Sequence, residues 1–289
     1  MLERIVDVQA FDVPLSRKLP ALFRRLAGDL PASDPRRGQA ETAKLPDLIE
    51  GMDQAGVGAS LVVLLEETGE FFRLAAGHPG RLFGLAYFDS LAPGEGLERV
   101  RALCHDHPDL ILGVATAMAI FGQDPRLRDF VPLYEWCLER DLPVQFQAGG
   151  DPGEAGSRPM ALGVLAATYP RLRIVCAHPA GARHEELPRL LRKFPNLFLA
   201  TKGQGGRDRV EDGVPLTIRE LTRQGGSRKL MFGSGRMGRE PTYVEAAKGV
   251  RALPWWQRRN VCWRTAARVY GTRILGVSTT HTGSILSTR

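Results

Sequence analysis

The chain has 289 residues, of which 43% are hydrophobic and 25% charged, the composition of an ordinary soluble globular protein with a large core. Its longest apolar runs, such as ASLVVLL, are far shorter than the ~20 residues that a membrane span needs. The formal net charge is +7, but basic residues are mostly interleaved with acidic ones, as in RHEELPRLLRKF. We therefore expect no membrane and no nucleic acid as partner, whereas a small anionic ligand or an acidic protein stays compatible with the charge.

Short apolar runs alternate with longer segments of helical periodicity along the chain. Eight such pairs over about 250 residues predict an α/β protein, a single-domain (β/α)8 TIM barrel. A doubly wound open sheet fits less well, because no Gly-rich phosphate turn follows the first strand. The predicted strands are 4–9, 59–65, 82–88, 110–116, 143–148, 172–177, 196–201 and 229–233, and the predicted helices are 46–55, 67–77, 95–105, 125–140, 159–168, 184–194, 215–224 and 241–252.

Two segments depart from this alternation within a barrel predicted to span 1–273. Residues 14–45 form a long Arg- and Pro-rich connection after the first strand, on the face where such barrels build their sites. Residues 274–289 contain no acidic residue and many Ser, Thr and Gly, which predicts a C-terminal tail that is mobile or ordered only against a partner.

The four cysteines are scattered in apolar surroundings and form no CxxC motif. This pattern predicts buried free thiols in a reducing cytosol, and hence a cytoplasmic protein. The residues are Cys104, Cys137, Cys176 and Cys262.

Seven segments in order make the chain resemble the amidohydrolase superfamily, specifically the amidohydrolase-related group that includes decarboxylases similar to aminocarboxymuconate-semialdehyde decarboxylase. The resemblance covers roughly residues 4–272 and implies an amidohydrolase-like (β/α)8 barrel. The segments are IVDVQAFDVP, MDQAGVGASLVVL, HPGRLFGLAYFD, PLYEWCLERDLPVQFQAG, PRLRIVCAHPAGARHEELPRLLRKFPNLFLATKG, KLMFGSGRMGREP and RTAARVYG.

The resemblance also implies a divalent-metal site at the carboxyl ends of the strands. The family template has HxH after the first strand, one His after each of the fifth and sixth strands, and the Asp of FGSD after the eighth. The residues at these positions here are Gln9, Phe11, Gln147, His178 and Gly235, so only His178 matches. A catalytic zinc takes about three imidazole, thiolate or carboxylate ligands, and neutral amides bind transition metals poorly. We therefore expect no metal and no other cofactor, and the replacements leave open whether the chain is an enzyme.

The replacing residues are predicted to repack the barrel mouth. Phe11 can fill the volume of a metal and its water, and strand alternation would place it on the same face as Gln9. Gln9, Gln147 and His178 can satisfy one another's buried donors and acceptors. Asp7, in the first strand, is predicted to make an internal structural hydrogen bond.

Three side chains at strand ends are the catalytic candidates if the chain is an enzyme: His178, which was named above, Lys202 and Arg236. A desolvated lysine such as Lys202 can act as a base, a Schiff-base former or an anion clamp. Each candidate also has a structural interpretation. His178 can anchor its AHPAG turn, Lys202 can reach solvent, and Arg236 can be a solvated loop residue.

Trp255 and Trp256, in LPWWQRRN, allow two interpretations. The pair can close the bottom of the barrel, or it can be an exposed anchor for another subunit, since tryptophan is enriched in binding hot spots.

Three functions remain open on these residues. The first is a non-catalytic subunit that pairs with an intact, metal-bearing amidohydrolase paralogue, in a hetero- or homo-oligomer, and stabilises it or completes its site. The second is a metal-independent lyase or hydrolase acting on a small carboxylated substrate. The third is a small-ligand binding protein. The joint loss of the metal ligands and the carboxylate favours the first.

Overall fold

The structure is a computed structural model that describes residues 4–11, 46–65, 69–118, 122–147, 159–177, 186–202, 210–211, 214–215, 222–223, 226–235, 244, 247 and 250–275. The barrel strands are β1 (Ile5–Phe11), β2 (Val57–Leu64), β3 (Leu82–Phe88), β4 (Ile111–Thr116), β5 (Val144–Gln147), β6 (Ile174–Ala177), β7 (Leu197–Lys202) and β8 (Leu230–Gly233). The helices are α1 (Pro46–Ala55), α2 (Gly69–Gly77), α3 (Pro93–Asp106), α4 (Val131–Glu139), α5 (Pro159–Thr168), α6 (Glu186–Lys193), α7 (Trp255–Arg259) and α8 (Thr265–Tyr270).

The eight strands form one sheet in the order of the sequence. Each strand from β1 to β8 pairs in parallel with the next, which leaves β1 and β8 at the two ends of the hydrogen-bonded order. With helices between the strands, this is the nearly closed barrel that the alternation predicted. In the described ranges, no helix has the length and apolar character needed to cross a membrane.

The predicted strands are confirmed, each within two residues of its observed ends, and the helices 46–55 and 159–168 are confirmed at both ends. The predicted helix 215–224 is wrong at its start. Pro215 pairs with Val210 in a small antiparallel ribbon formed by Val210–Glu211 and Val214–Pro215. The intervening sequence is Asp-Gly, a dipeptide favoured in two-residue hairpin turns, and this local preference prevails over the helical pattern.

Side chains along the strands alternate between two cores. On β3, Phe83, Leu85 and Tyr87 belong to the core inside the barrel, whereas Leu82 and Phe88 belong to the core between the sheet and the helices. All five are buried. Burying a large apolar side chain contributes about 1.5–3 kcal/mol, so the two cores together supply most of the drive to fold.

The helix α8 closes the amino-terminal end of the barrel. Ala266, Val269 and Tyr270 pack into the inner core, and the Tyr270 hydroxyl donates a hydrogen bond to Gln145 Oε1 at 2.7 Å. Burial holds the pKa of Tyr270 well above its ordinary value. The phenol therefore stays protonated and remains a donor in the floor of the barrel.

A buried hydrogen-bonded pair joins the two ends of the strand order. Asp7 on β1 accepts a hydrogen bond from the Ser234 amide at 2.9 Å on Oδ1 and from the Ser234 hydroxyl at 2.6 Å on Oδ2. Asp7 is fully buried and Ser234 nearly so. The predicted internal hydrogen bond of Asp7 is thus confirmed, and it connects the first strand to the residue that follows the eighth.

Two expectations about the C-terminal region change with the structure. Trp255 and Trp256 are 62% and 57% exposed, so they do not close the barrel; α8 does. The start of the tail at residue 274 is wrong, because Ile274 is fully buried against the inner core in the short helical turn Thr272–Leu275. Residues 276–289 and the connection 14–45 lie outside the described residues.

Replacing Asp7 by alanine should lower the free energy of unfolding by about 3 kcal/mol, because it strands two buried donors of Ser234. Ser234→Ala, which removes only the hydroxyl, should cost about 1–2 kcal/mol. Urea unfolding measures both. Asp53→Ala is the control, since its ion pair with Arg81 is exposed and should contribute about 0–1 kcal/mol. Equal effects of Asp7→Ala and Asp53→Ala would contradict a structural role for the Asp7 contact.

The stability should also fall with rising pH above about pH 10, and Tyr270 should contribute to that fall. An unfolded tyrosine loses its proton near pH 10.0, while the raised pKa of Tyr270 keeps the folded phenol protonated. The unfolded state then binds fewer protons, so stability decreases as pH rises. In Tyr270→Phe this decrease should be shallower by up to about 1.4 kcal/mol per pH unit. Urea unfolding at about pH 8, 10.5 and 11.5 tests it; identical slopes in both proteins would refute it.

Candidate functional site

The carboxyl ends of the eight parallel strands meet at one rim of the barrel, where barrels of this type place their chemistry. The structure brings five of the predicted positions to this rim: Gln9, Phe11, Gln147, Lys202 and Gly235 lie at or just beyond the ends of β1, β5, β7 and β8. His178 directly follows β6 in the sequence, and Arg236 follows Gly235. Both lie outside the described residues.

Gln147 is a buried amide inside the rim. Val144 and Phe146 pack in the outer core, so alternation turns Gln145 and Gln147 towards the barrel interior. Gln147 is 5% exposed, and its backbone is in register with Ala177, the last residue of β6. A carboxamide, neutral at every pH, therefore occupies the inward position at the end of β5.

The end of β1 is irregular. Its register with β2 shifts between Asp7 and Ala10, where β1 has one residue more than its partner. The bulge interrupts the alternation just before Ala10, so the placement of Gln9 and Phe11 on one face stays a prediction. Phe11 pairs with Val63, a residue of the inner core. The side chains of Gln9 and Phe11 lie outside the described part, so the filling of the mouth by Phe11 stays a prediction.

The end of β8 has a backbone conformation suited to glycine. Gly235 is buried and has a φ of 63°, in the left-handed region that costs most other residues roughly 1–2 kcal/mol. It directly follows Ser234, which Asp7 holds in place. The position of the template carboxylate is thus occupied by a residue without a side chain, in a turn whose shape glycine favours.

Lys202 is the last residue of β7 and is in register with Gly233 on β8. Its backbone therefore lies two residues along β8 from Gly235. The described structure ends there at the backbone, so the roles predicted for Lys202, His178 and Arg236 stay predictions.

Tyr87 is a rim residue that the sequence interpretation missed. It lies near the carboxyl end of β3, is 4% exposed and belongs to the inner core. Burial, reinforced by the negative charge of Asp89 and opposed by Arg99, raises the pKa of Tyr87 well above its ordinary value. The phenol is therefore a donor rather than a base. The alternation in LFGLAYF carried the signal, since it places Tyr87 on the same face as Phe83 and Leu85.

The cysteines are not candidates for a catalytic nucleophile. All four cysteines are free thiols, and Cys137, Cys176 and Cys262 are buried. Burial raises the pKa of Cys104 and of Cys176 to about 12, so both are protonated at neutral pH.

The residues at the template positions do not fit a divalent metal. Gln147 offers an amide and Gly235 no donor atom, and the sequence supplies a further amide, a phenyl ring and one imidazole at the other three positions. Within the described ranges, no cluster of three or more His, Cys, Asp or Glu residues is placed to hold an ion. A catalytic zinc needs about three good ligands and an open position for water, and this set provides one.

Fold and rim together define a (β/α)8 barrel of the type that carries its site at the carboxyl ends of the strands. The family model described as amidohydrolase matches residues 19–272, and the chain belongs to this family. The matched range begins after β1. No curated protein matches the chain.

Solved structures share the fold over nearly the whole chain. An uncharacterized TIM-barrel protein from Bordetella bronchiseptica is 17% identical, with 93% of this chain and 99% of that one covered and a TM-score of 0.69. The 5-carboxyvanillate decarboxylase of Sphingomonas paucimobilis is 18% identical, with 93% and 99% covered and a TM-score of 0.63. The 2,6-dihydroxybenzoate decarboxylase of Rhizobium is 14% identical, with 94% and 99% covered and a TM-score of 0.64.

The purified protein should contain far less than one zinc, manganese or iron per chain, because the sequence has one imidazole at the five template positions where about three good ligands are needed. Elemental analysis after incubation with each metal and gel filtration measures this. A family member with an intact HxH motif, treated identically, is the control. A near-stoichiometric metal that Gln147→Ala and His178→Ala remove would show that the rim binds metal after all.

Proposed function

We propose that this chain is a non-catalytic member of the amidohydrolase family that serves as the partner subunit of a metal-bearing paralogue. The observation that carries the proposal is Gly235, which places a buried, left-handed glycine where the resemblance implies the proton-transferring aspartate. Without a metal or this carboxylate, nothing at the template positions lowers the pKa of a water or accepts its proton.

The interactions that hold the barrel together support the same proposal, because they do not depend on the template positions. The Asp7–Ser234 contact joins β1 to β8, and the Tyr270–Gln145 hydrogen bond ties the floor to β5. A chain with an intact fold, whose described template positions Gln147 and Gly235 offer no reactive group, is suited to contact another subunit. Two functions compete with this proposal. One is a metal-independent lyase or hydrolase that uses His178, Lys202 and Arg236. The other is a protein that binds a small anionic ligand.

Co-expression tests the proposal. The full-length chain is produced alone and together with an amidohydrolase from the same genome that retains HxH and FGSD, and native mass spectrometry gives the stoichiometry. We expect a stable hetero-oligomer, in which the partner has a higher melting temperature or a higher kcat than it has alone. As control, the partner with HxH changed to AxA should still assemble but lose all activity, because the chemistry belongs to its metal.

The competing enzyme makes a different prediction. A monomer that turns over a carboxylated substrate alone, with the activity abolished by Lys202→Ala, would overturn the proposal. Binding of a small carboxylate by the chain alone, without turnover, would instead identify a ligand-binding protein.

A further inference from the structure

Trp255 and Trp256 form an exposed aromatic pair on a firmly held turn. Their rings are T-shaped with centroids 6.0 Å apart, and they are 62% and 57% exposed. They are the most exposed aromatic side chains among the large exposed apolar residues of the described ranges. Exposed tryptophan pairs mark contact sites more often than single exposed apolar residues do.

The turn is fixed from both sides. Leu253, just before it, and Val261, just after α7, are buried in the outer core. The amides of Gln257 and Arg258 both donate to Pro254 O at 2.9 Å. The tryptophans therefore stand on a pre-formed turn, which reduces the entropy lost when a partner binds them.

This turn lies at the amino-terminal end of the barrel. Asn260 Nδ2 donates to Ser227 Oγ at 3.3 Å, in the turn that leads into β8. Arg258 donates to Arg251 O at 2.9 Å, and Arg251 donates to Ala55 O at 2.8 Å, directly before β2. The pair is thus at the end opposite to Gln147 and Gly235.

The C-terminal part of the sequence, which contains this turn, is rich in basic residues. After Glu245 the sequence has no acidic residue but eight of the 39 basic ones, so the preceding residues hold 31 basic and 32 acidic side chains. The Arg251 guanidinium donates to Ala55 O and the Arg268 guanidinium donates to Arg228 O, and burial and the neighbouring charge of Arg228 lower the pKa of Arg268. Arg273 is paired with Asp109. The surface around the tryptophans is therefore positively charged.

This combination indicates the chemistry of the occupant. Two apolar anchors within a positive field fit an acidic protein surface with a pocket for aromatic side chains. A second copy in a two-fold contact would place one positive surface against another. A nucleic acid needs guanidinium groups free to contact phosphates, whereas three of these are engaged with carbonyls.

We infer that the Trp255–Trp256 turn is the docking site for an acidic surface of the metal-bearing paralogue, an inference that rests on the proposed function. The paralogue then binds the floor of this barrel and not its mouth. Such a contact leaves the carboxyl rim of this barrel open to solvent.

Binding of the purified full-length paralogue to the full-length chain tests the site. Trp255→Ala/Trp256→Ala should weaken the Kd at least ~30-fold, the loss expected from a hot-spot anchor. Arg259→Glu, in the helix α7 that carries the tryptophans, should slow association, and so should added salt. The control is Met160→Ala/Val164→Ala, which truncates an exposed apolar pair of α5 (50% and 40% exposed) and should change the Kd less than ~3-fold. Circular dichroism should show equal melting temperatures for both double variants.

The possible results test the docking site and the proposed function separately. A complex that ignores the tryptophans and the charge change, or is lost only in the α5 variant, overturns the docking site and leaves the proposed function standing. No complex with any intact paralogue overturns both. Tryptophan-dependent binding to single-stranded RNA or phosphatidylserine vesicles, or a tryptophan-dependent homodimer, overturns the acidic-protein site.

Discussion

The hydrogen bonds between Asp7 and Ser234 are the contact on which the architecture depends. A parallel sheet of eight strands has two open edges until its first and last strands meet, and open edges invite non-native pairing. Asp7 and Ser234 are 227 residues apart in the sequence, so this contact forms only when the whole ring is in place. It fixes the position of Gly235, and with it the shape of the rim beside β8.

Stability and chemistry occupy opposite ends of this barrel. The floor is closed by the apolar side chains of α8 and by the Tyr270–Gln145 hydrogen bond. The rim carries an amide at Gln147 and no side chain at Gly235. In (β/α)8 barrels the carboxyl ends vary without unfolding the structure, which is why a family member can lose its ligands and keep its fold.

Much of the fold was predictable because buried parallel strands leave a strong local signal in apolar runs such as LRIVCA. The features that the sequence did not indicate depend on non-local or very local geometry. The bulge after Asp7 shows only in the register with β2, and the hairpin at Pro215 depends on two turn residues. The exposure of Trp255 could not be predicted, since a tryptophan beside a proline has the same sequence signal in a core and on a surface. The sequence did not indicate Ser234 as the partner of Asp7, because the two residues are 227 positions apart.

The left-handed glycine after β8 makes the present rim hard to reverse. Installing an aspartate at Gly235 would have to overcome backbone strain at once, whereas the benefit would come only after histidines had replaced Gln9, Phe11 and Gln147. No single step towards the family's ligand set therefore brings a gain by itself. A designer who wishes to recover a metal enzyme from this barrel must therefore rebuild the Ser234–Gly235 turn together with the ligands.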